Sequence, residues 1–136
     1  MGSLEMILLD THTWIWFVSN PELLSNTAKK RINRSQKEHS IYISCISAWE
    51  VALLVEKKRL ELSMEIDDWI SKSEVLPFFT FVPIDNDTAL RSVRLQPPLH
   101  NDPADRIIIA TALKMDATII TKDEKILNYP HVRAVW

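Results

Sequence analysis

The stretch MILLDTHTWIWFVSN (6–20) decides the fold. MILLD (6–10) is a short apolar run that stops at an acid, the pattern of a strand buried on both faces. THTWIWFVSN (11–20) follows at once as a short helix, and Pro21 restarts the chain. The same alternation recurs downstream. SIYIS (40–44), FTFVPI (79–84), ATIIT (117–121) and HVRAV (131–135) read as further strands. Between them lie a polar, basic helix over 25–37 and a helix over 45–58 with Ile46, Trp49, Val51, Leu53 and Leu54 on its apolar side. An amphipathic helix over 64–74, a capped helix over 85–95 and a helix over 103–115, apolar almost all round and therefore buried, complete the set. QPPLHND (96–102) is a Pro-rich turn, and KDEKIL (122–127) is a turn or short helix. Strands alternating with helices give an α/β fold in three layers, with a mainly parallel sheet of four to five strands covered on both faces.

At 136 residues the chain is long enough for one such domain and not two, and it offers no repeat, linker or low-complexity tract at which to divide it. MGSLE (1–5) reads as a cloning remnant with Met6 as the natural start, which leaves residues 6–136 as a single domain. No apolar run approaches the roughly 18 residues of a membrane span, and the start lacks the apolar stretch of a signal peptide. One cysteine, Cys45, can make neither an internal disulfide nor a zinc site by itself, which fits a cytoplasmic protein. The net charge of −2 excludes a globally basic nucleic-acid binder. The only glycine is Gly2, so a P-loop and a dinucleotide-binding turn are both excluded. Any phosphate must be met by a metal or by side chains.

Chemistry in an open parallel sheet gathers at the carboxyl ends of the strands. Asp10 ends the first strand, and Asp123 lies two residues past the fourth. Glu50 is near the start of the helix after the second strand, and Asp105 is in the first turn of the buried helix. Each has a plainer explanation. Asp10 and Asp123 can cap the helices that follow them, Ser47-Ala48-Trp49-Glu50 matches a capping box, and Asp102-Pro103-Ala104-Asp105 places an N-cap, an N1 proline and an N3 acid in the preferred order. Taken singly, capping is the better account of every one. Taken together, all four fall on one edge of the expected sheet, where capping alone would scatter acids, serines and threonines over both edges. Four converging carboxylates repel one another unless a cation is present, and Mg²⁺ or Mn²⁺ takes such oxygen ligands. Metals held there activate a water and stabilise charge on a phosphodiester. In-line attack would leave a 5′-phosphate and a 3′-hydroxyl.

The chain resembles the PIN-domain ribonucleases and, within them, the VapC-type toxins of bacterial type II toxin–antitoxin pairs. The resemblance runs from about Met6 to the C-terminus, on LLDTHTWIWFV (8–18), ISCISAWEVALL (43–54), LHNDPADRIIIATAL (99–113) and TIITKDEKI (118–126). The third segment is the most specific, an H-x-D-P-x-D-R followed by an apolar I-A-x-A run. Carried over by position, Asp10, Glu50, Asp105 and Asp123 match the family's four acids. The resemblance implies a PIN-like domain of strand order 3-2-1-4-5, a Mg²⁺ or Mn²⁺ cofactor, cleavage of single-stranded or looped RNA, a homodimer and a small antitoxin protein that blocks the groove. One departure is Ala104, where relatives often carry an aromatic, a change expected in the groove wall and not in the ligands.

Other residues have two readings. Asp102 is an N-cap or a metal-site acid. Arg106 pairs with an acid of the cluster or lies on the surface. Thr11 and Thr121 either hold a metal-bound water or bond the backbone at strand ends. His12 and His100 are left outside the metal site, with His12 free to touch RNA. Lys29, Lys30, Arg31, Arg34 and Lys37 form a solvated helix face or a phosphate-binding one, and Lys57, Lys58 and Arg59 share that ambiguity. Trp14, Trp16, Trp49 and Trp69 belong to core or dimer interface, with base stacking the sharper role for one of them. Two functional readings compete with the nuclease. A PIN-like module that grips RNA or protein without cutting would bind no Mn²⁺. An acid-using phosphotransfer domain would want D-x-D after the first strand, where this chain has Asp10-Thr11-His12.

Overall fold

The structure is a computed structural model and describes residues 5–136; the first four residues of MGSLE lie outside the described residues. The elements run β1 (Ile7–Leu9), α1 (Thr11–Ser19), a 3₁₀ turn (Pro21–Leu23), α2 (Asn26–Lys37), β2 (Ile41–Ser44), α3 (Cys45–Glu56), α4 (Ile66–Glu74), β3 (Phe79–Val82), α5 (Asn86–Val93), α6 (Pro103–Met115), β4 (Thr118–Ile120), α7 (Glu124–Leu127) and β5 (Ala134–Val135). The five strands form one sheet of order β3-β2-β1-β4-β5, with every neighbouring pair parallel. This is the expected order, and it reverses at the β1/β4 boundary. No helix among the described residues is long and apolar enough to cross a membrane.

Strand side chains alternate faces, and the core divides accordingly. Ile7 and Leu9 of β1 and Ile120 of β4 join one buried cluster with Trp14, Ala28, Ile32, Val51 and Trp69 from α1 to α4. Leu8 and Ile119 point the other way, against Ile108, Ile109 and Ala112 of α6 and Ile126 of α7. Trp14 is wholly buried, stands 4.7 Å from Trp69 and donates its indole N–H to Ser73 Oγ at 3.1 Å. Such a ring, satisfied at its one polar atom, contributes on the order of 3–5 kcal/mol relative to alanine.

Three local expectations change. Ser44 caps α3, accepting from Ile46 N, so Ser47 and Glu50 lie inside the helix and no capping box forms. Trp49, expected on the apolar side of that helix, is 55% exposed. Ala104 is 4% exposed and faces the interior rather than a groove. Glu5 is engaged as well: Arg31 Nη1 lies 2.9 Å from both its carboxylate oxygens, and Ser40 Oγ donates to its carbonyl at 2.9 Å.

Helices α2, α3 and α6 end alike. His39, Lys58 and Asp116 take left-handed φ values of 53°, 58° and 56°, where proteins usually place glycine. In each, the next residue's N–H folds back to an earlier carbonyl: Ser40 to Ser35, Arg59 to Leu54, Ala117 to Ala112.

Candidate active site

Because β1 and β4 lie side by side with Leu9 opposite Ile120, Asp10 and Thr121 emerge together at their carboxyl ends. Asp10 N donates to Ile120 O at 3.1 Å, continuing the ladder one step past the strand. Its carboxylate is held at both oxygens. Oδ1 accepts from Thr11 N at 2.7 Å, and Oδ2 accepts from Thr121 Oγ1 at 2.6 Å. The Thr121 hydroxyl oxygen also accepts from Asp123 N at 3.0 Å, so one buried hydroxyl orients two of the expected acids. Asp123 caps α7, its Oδ1 accepting from Lys125 N at 2.8 Å.

Glu50 and Ser47 are three residues apart on α3 and share a face. Thr11 Oγ1, from the first turn of α1, lies 2.5 Å from Glu50 Oε1 and 2.8 Å from Ser47 Oγ. A hydroxyl has one proton: Thr11 donates it to Glu50 and accepts from Ser47. Asp105 comes from the first turn of α6, where Asp102 caps the helix by accepting from Asp105 N at 2.9 Å. His100 Nε2 donates to Asp105 Oδ2 at 2.7 Å. Arg106 pairs with no acid of the cluster. Its guanidinium donates to Ser92 O at 2.9 Å, His100 O at 3.0 Å and Val93 O at 3.5 Å.

Burial governs the electrostatics. It pushes the Asp10 carboxyl above its usual range, opposed by the Thr121 and Thr11 hydrogen bonds and the charge of His12, and assisted by Asp123. Burial, then the charges of Asp10, Asp105 and Asp102, push Glu50 up to about 7 against the Thr11 bond. Burial raises Asp105 to about 6, with His100 working against it and Asp102, Asp10 and Asp123 adding to it. Asp10 and Asp105 thus feel the charge of Asp123, and Glu50 feels that of Asp10 and Asp105. Among the described residues, no three carboxylate, imidazole or thiol groups are close enough to form a preassembled metal cage. The donor set nonetheless suits Mg²⁺ or Mn²⁺: it offers hard oxygens, mutual repulsion that a cation relieves, and the loose spacing of a Mg²⁺ that keeps several waters.

Four residues supporting these acids were not readable as such. Thr11 bonds the side chains of Glu50 and Ser47, and Thr121 bonds both the Asp10 carboxylate and the backbone N–H of Asp123; Ser47 reads in sequence as a cap, and His100 as a residue outside the metal site. The signal for Ser47 was its three-residue spacing from Glu50. For His100 the signal is its place at the head of the H-x-D-P-x-D-R segment before the helix that carries Asp105, which does not say where a loop side chain points.

The family model described as PIN domain matches residues 7–132. The chain is 30% identical over 129 residues to Ribonuclease VapC22 of Mycobacterium tuberculosis, covering 95% of each. It is similar to a toxin–antitoxin complex from Klebsiella pneumoniae at 26% identity and a TM-score of 0.63, over 96% of both chains. The fold also matches VapBC2 from Rickettsia felis, solved on a promoter DNA fragment, with a TM-score of 0.69 at 18% identity over 96% of this chain and 97% of that one.

Proposed function

The chain belongs to the PIN-domain family, and from that premise we propose that it is a metal-dependent endoribonuclease, the toxin of a toxin–antitoxin pair, with Asp10, Glu50, Asp105 and Asp123 as its catalytic and metal-holding residues. A relative named as a ribonuclease supports RNA as the substrate. The likeness to a toxin–antitoxin complex supports an antitoxin protein as partner. A homodimer acting in the cytoplasm belongs to the same reading.

The observation that carries the proposal is the convergence of raised carboxyls at the point where the strand order reverses, with Asp10 locked between Thr11 N and Thr121 Oγ1. Mg²⁺ or Mn²⁺, when bound, supplies charge to the phosphodiester and acidifies water. The protein's part is positioning. Thr121 and Thr11 fix both Asp10 oxygens, and His100 fixes one oxygen of Asp105 while the other stays available. Glu50, which burial and the charges of Asp10, Asp105 and Asp102 push up in the metal-free protein, is the acid that would orient or deprotonate an attacking water.

Asp10→Asn keeps the side chain's shape and removes its charge. Cleavage sites on total RNA in Mg²⁺ are expected to disappear in this variant. Cleavage that persists at the same sites would overturn the assignment, and absence of Mn²⁺ binding by the unsubstituted protein at millimolar concentration would favour a non-cleaving module.

A further inference from the structure

On the β4–α7 side of the acids, a cationic and aromatic group stands at the same sheet edge. His12 is two residues past Asp10 and exposed; its ring centroid lies 5.9 Å from that of Trp16, one helical turn on. Trp16 is half-buried and packs against the core, so its indole is held in place. The Trp136 ring meets it edge-on at 5.7 Å. Lys122, between Thr121 and Asp123, is exposed and places Nζ 5.8 Å from the Trp16 ring centroid. Lys122 directly precedes Asp123 and His12 follows Asp10 by two residues, so the group borders two of the acids.

We propose that His12, Trp16 and Lys122 form a subsite for the nucleotide one position beyond the two joined by the scissile bond, with the base against the Trp16–His12 aromatic pair and the phosphate on Lys122. It rests on the RNA-cleaving reading above. A polyanion entering an acidic cleft needs cations beyond the metal. Of the basic groups beside the four acids, His100 is bonded to Asp105 and Arg106 to three carbonyls, so both are engaged within the protein. Lys122 is exposed and, among the described residues, is held only by a ring contact, which is weak at the surface, so it can turn to a phosphate at little cost. A nucleotide supplies both things the group accepts, a flat π-face and an anion. An acidic peptide supplies only the second.

The test compares Lys122→Met and Trp16→Leu with the unsubstituted protein, on a mixed-sequence single-stranded RNA oligomer and on a dinucleotide holding only the scissile bond. Lys122→Met is expected to raise KM for the oligomer about fivefold at low salt with kcat unchanged, and to reduce the slope of log affinity against log salt by about 0.7. Trp16→Leu is expected to raise the oligomer KM about tenfold. Neither is expected to change KM for the dinucleotide. Melting temperatures identify any unfolding in Trp16→Leu, and Lys122→Met, at an exposed position, keeps the test decisive. Unchanged KM and salt slope in Lys122→Met overturn the subsite, as does a fall in kcat alone, which would place Lys122 in the chemical step. Loss of acidic-peptide binding with RNA binding intact would assign the surface to a protein and also overturn it. If the unsubstituted protein neither binds nor cleaves RNA in Mn²⁺, the function itself fails and takes the subsite with it, an outcome distinct from a silent Lys122→Met.

Discussion

His100 Nε2 lies 2.7 Å from Asp105 Oδ2, in a pair whose side chains are 19% and 14% exposed. One oxygen of Asp105 is thus committed within the protein, and the carboxylate cannot rotate freely. Removing such an orienting partner typically weakens metal binding by 10–100-fold. His100→Ala is expected to weaken Mn²⁺ binding about tenfold by calorimetry, and His100→Gln, which keeps a donor, to recover part of the loss. Equal affinity in all three proteins would show that the bond does not position Asp105.

Thr121 is fully buried and serves Asp10 and Asp123 through one hydroxyl. Thr121→Val keeps the shape and leaves an Asp10 oxygen and the Asp123 N–H without that partner. The expected loss is about 1–3 kcal/mol of stability, read from the urea midpoint, with at least a tenfold fall in cleavage. Thr121→Ser should retain most of both. A valine variant as stable and active as the parent would remove the hydroxyl from the argument.

Raised carboxyl groups make the metal-free protein sensitive to pH in a definite direction. Below its ordinary value of 4.5, Glu50 is protonated whether the chain is folded or not. Between 4.5 and about 7 the unfolded chain releases the proton and the folded chain keeps it, so stability falls as pH rises through that window. Asp105, raised from 3.8 to about 6, adds to the same trend. The melting temperature without metal is expected to drop from pH 5 to pH 8, and Glu50→Gln to flatten the drop. Metal binding at pH 6 should release protons and tighten as pH rises. A melting temperature that climbs over this range would contradict the raised values.

Lys58 ends α3 with φ at 58°, a conformation that crowds its Cβ. Lys58→Gly is expected to stabilise the protein by about 0.5–1 kcal/mol after the added flexibility of the unfolded chain is subtracted, a rise of a few degrees in melting temperature. Asp116→Gly should give less, because Asp tolerates the left-handed region better and its carboxylate also meets Arg133 at 2.9 Å. A lower melting temperature for Lys58→Gly would refute strain at this position.

The architecture was legible because MILLD and ATIIT carry buried-strand patterns, the first ending on an acid and the second followed by one two residues on, and the helix pattern between strands is strong. Helix starts were legible where Ser25, Asp85 and Asp102 accept from backbone N–H groups as caps do. Helix ends were less so. The usual signal is glycine, and here His39, Lys58 and Asp116 take its place. The four acids could be named from strand ends and from the resemblance, but their supports could not. Thr11 reaches Glu50 across 39 positions and Thr121 reaches Asp10 across 111, separations that leave no local pattern. Trp49 was misplaced because helical spacing alone does not say which neighbour covers a side chain, and α3 leaves this one uncovered.

Arg106 gives the site a mechanical character. Its guanidinium bonds carbonyls from Ser92 and Val93 at the end of α5 and from His100 in the turn before α6, while its own backbone belongs to α6 beside Asp105. A Pro-rich segment of this kind would ordinarily flex. Pinned at both ends by one planar, permanently charged group, it becomes a stiff jaw that moves with α6. Asp105 is thereby carried on a helix tied to the segment before it, and the two move as one body.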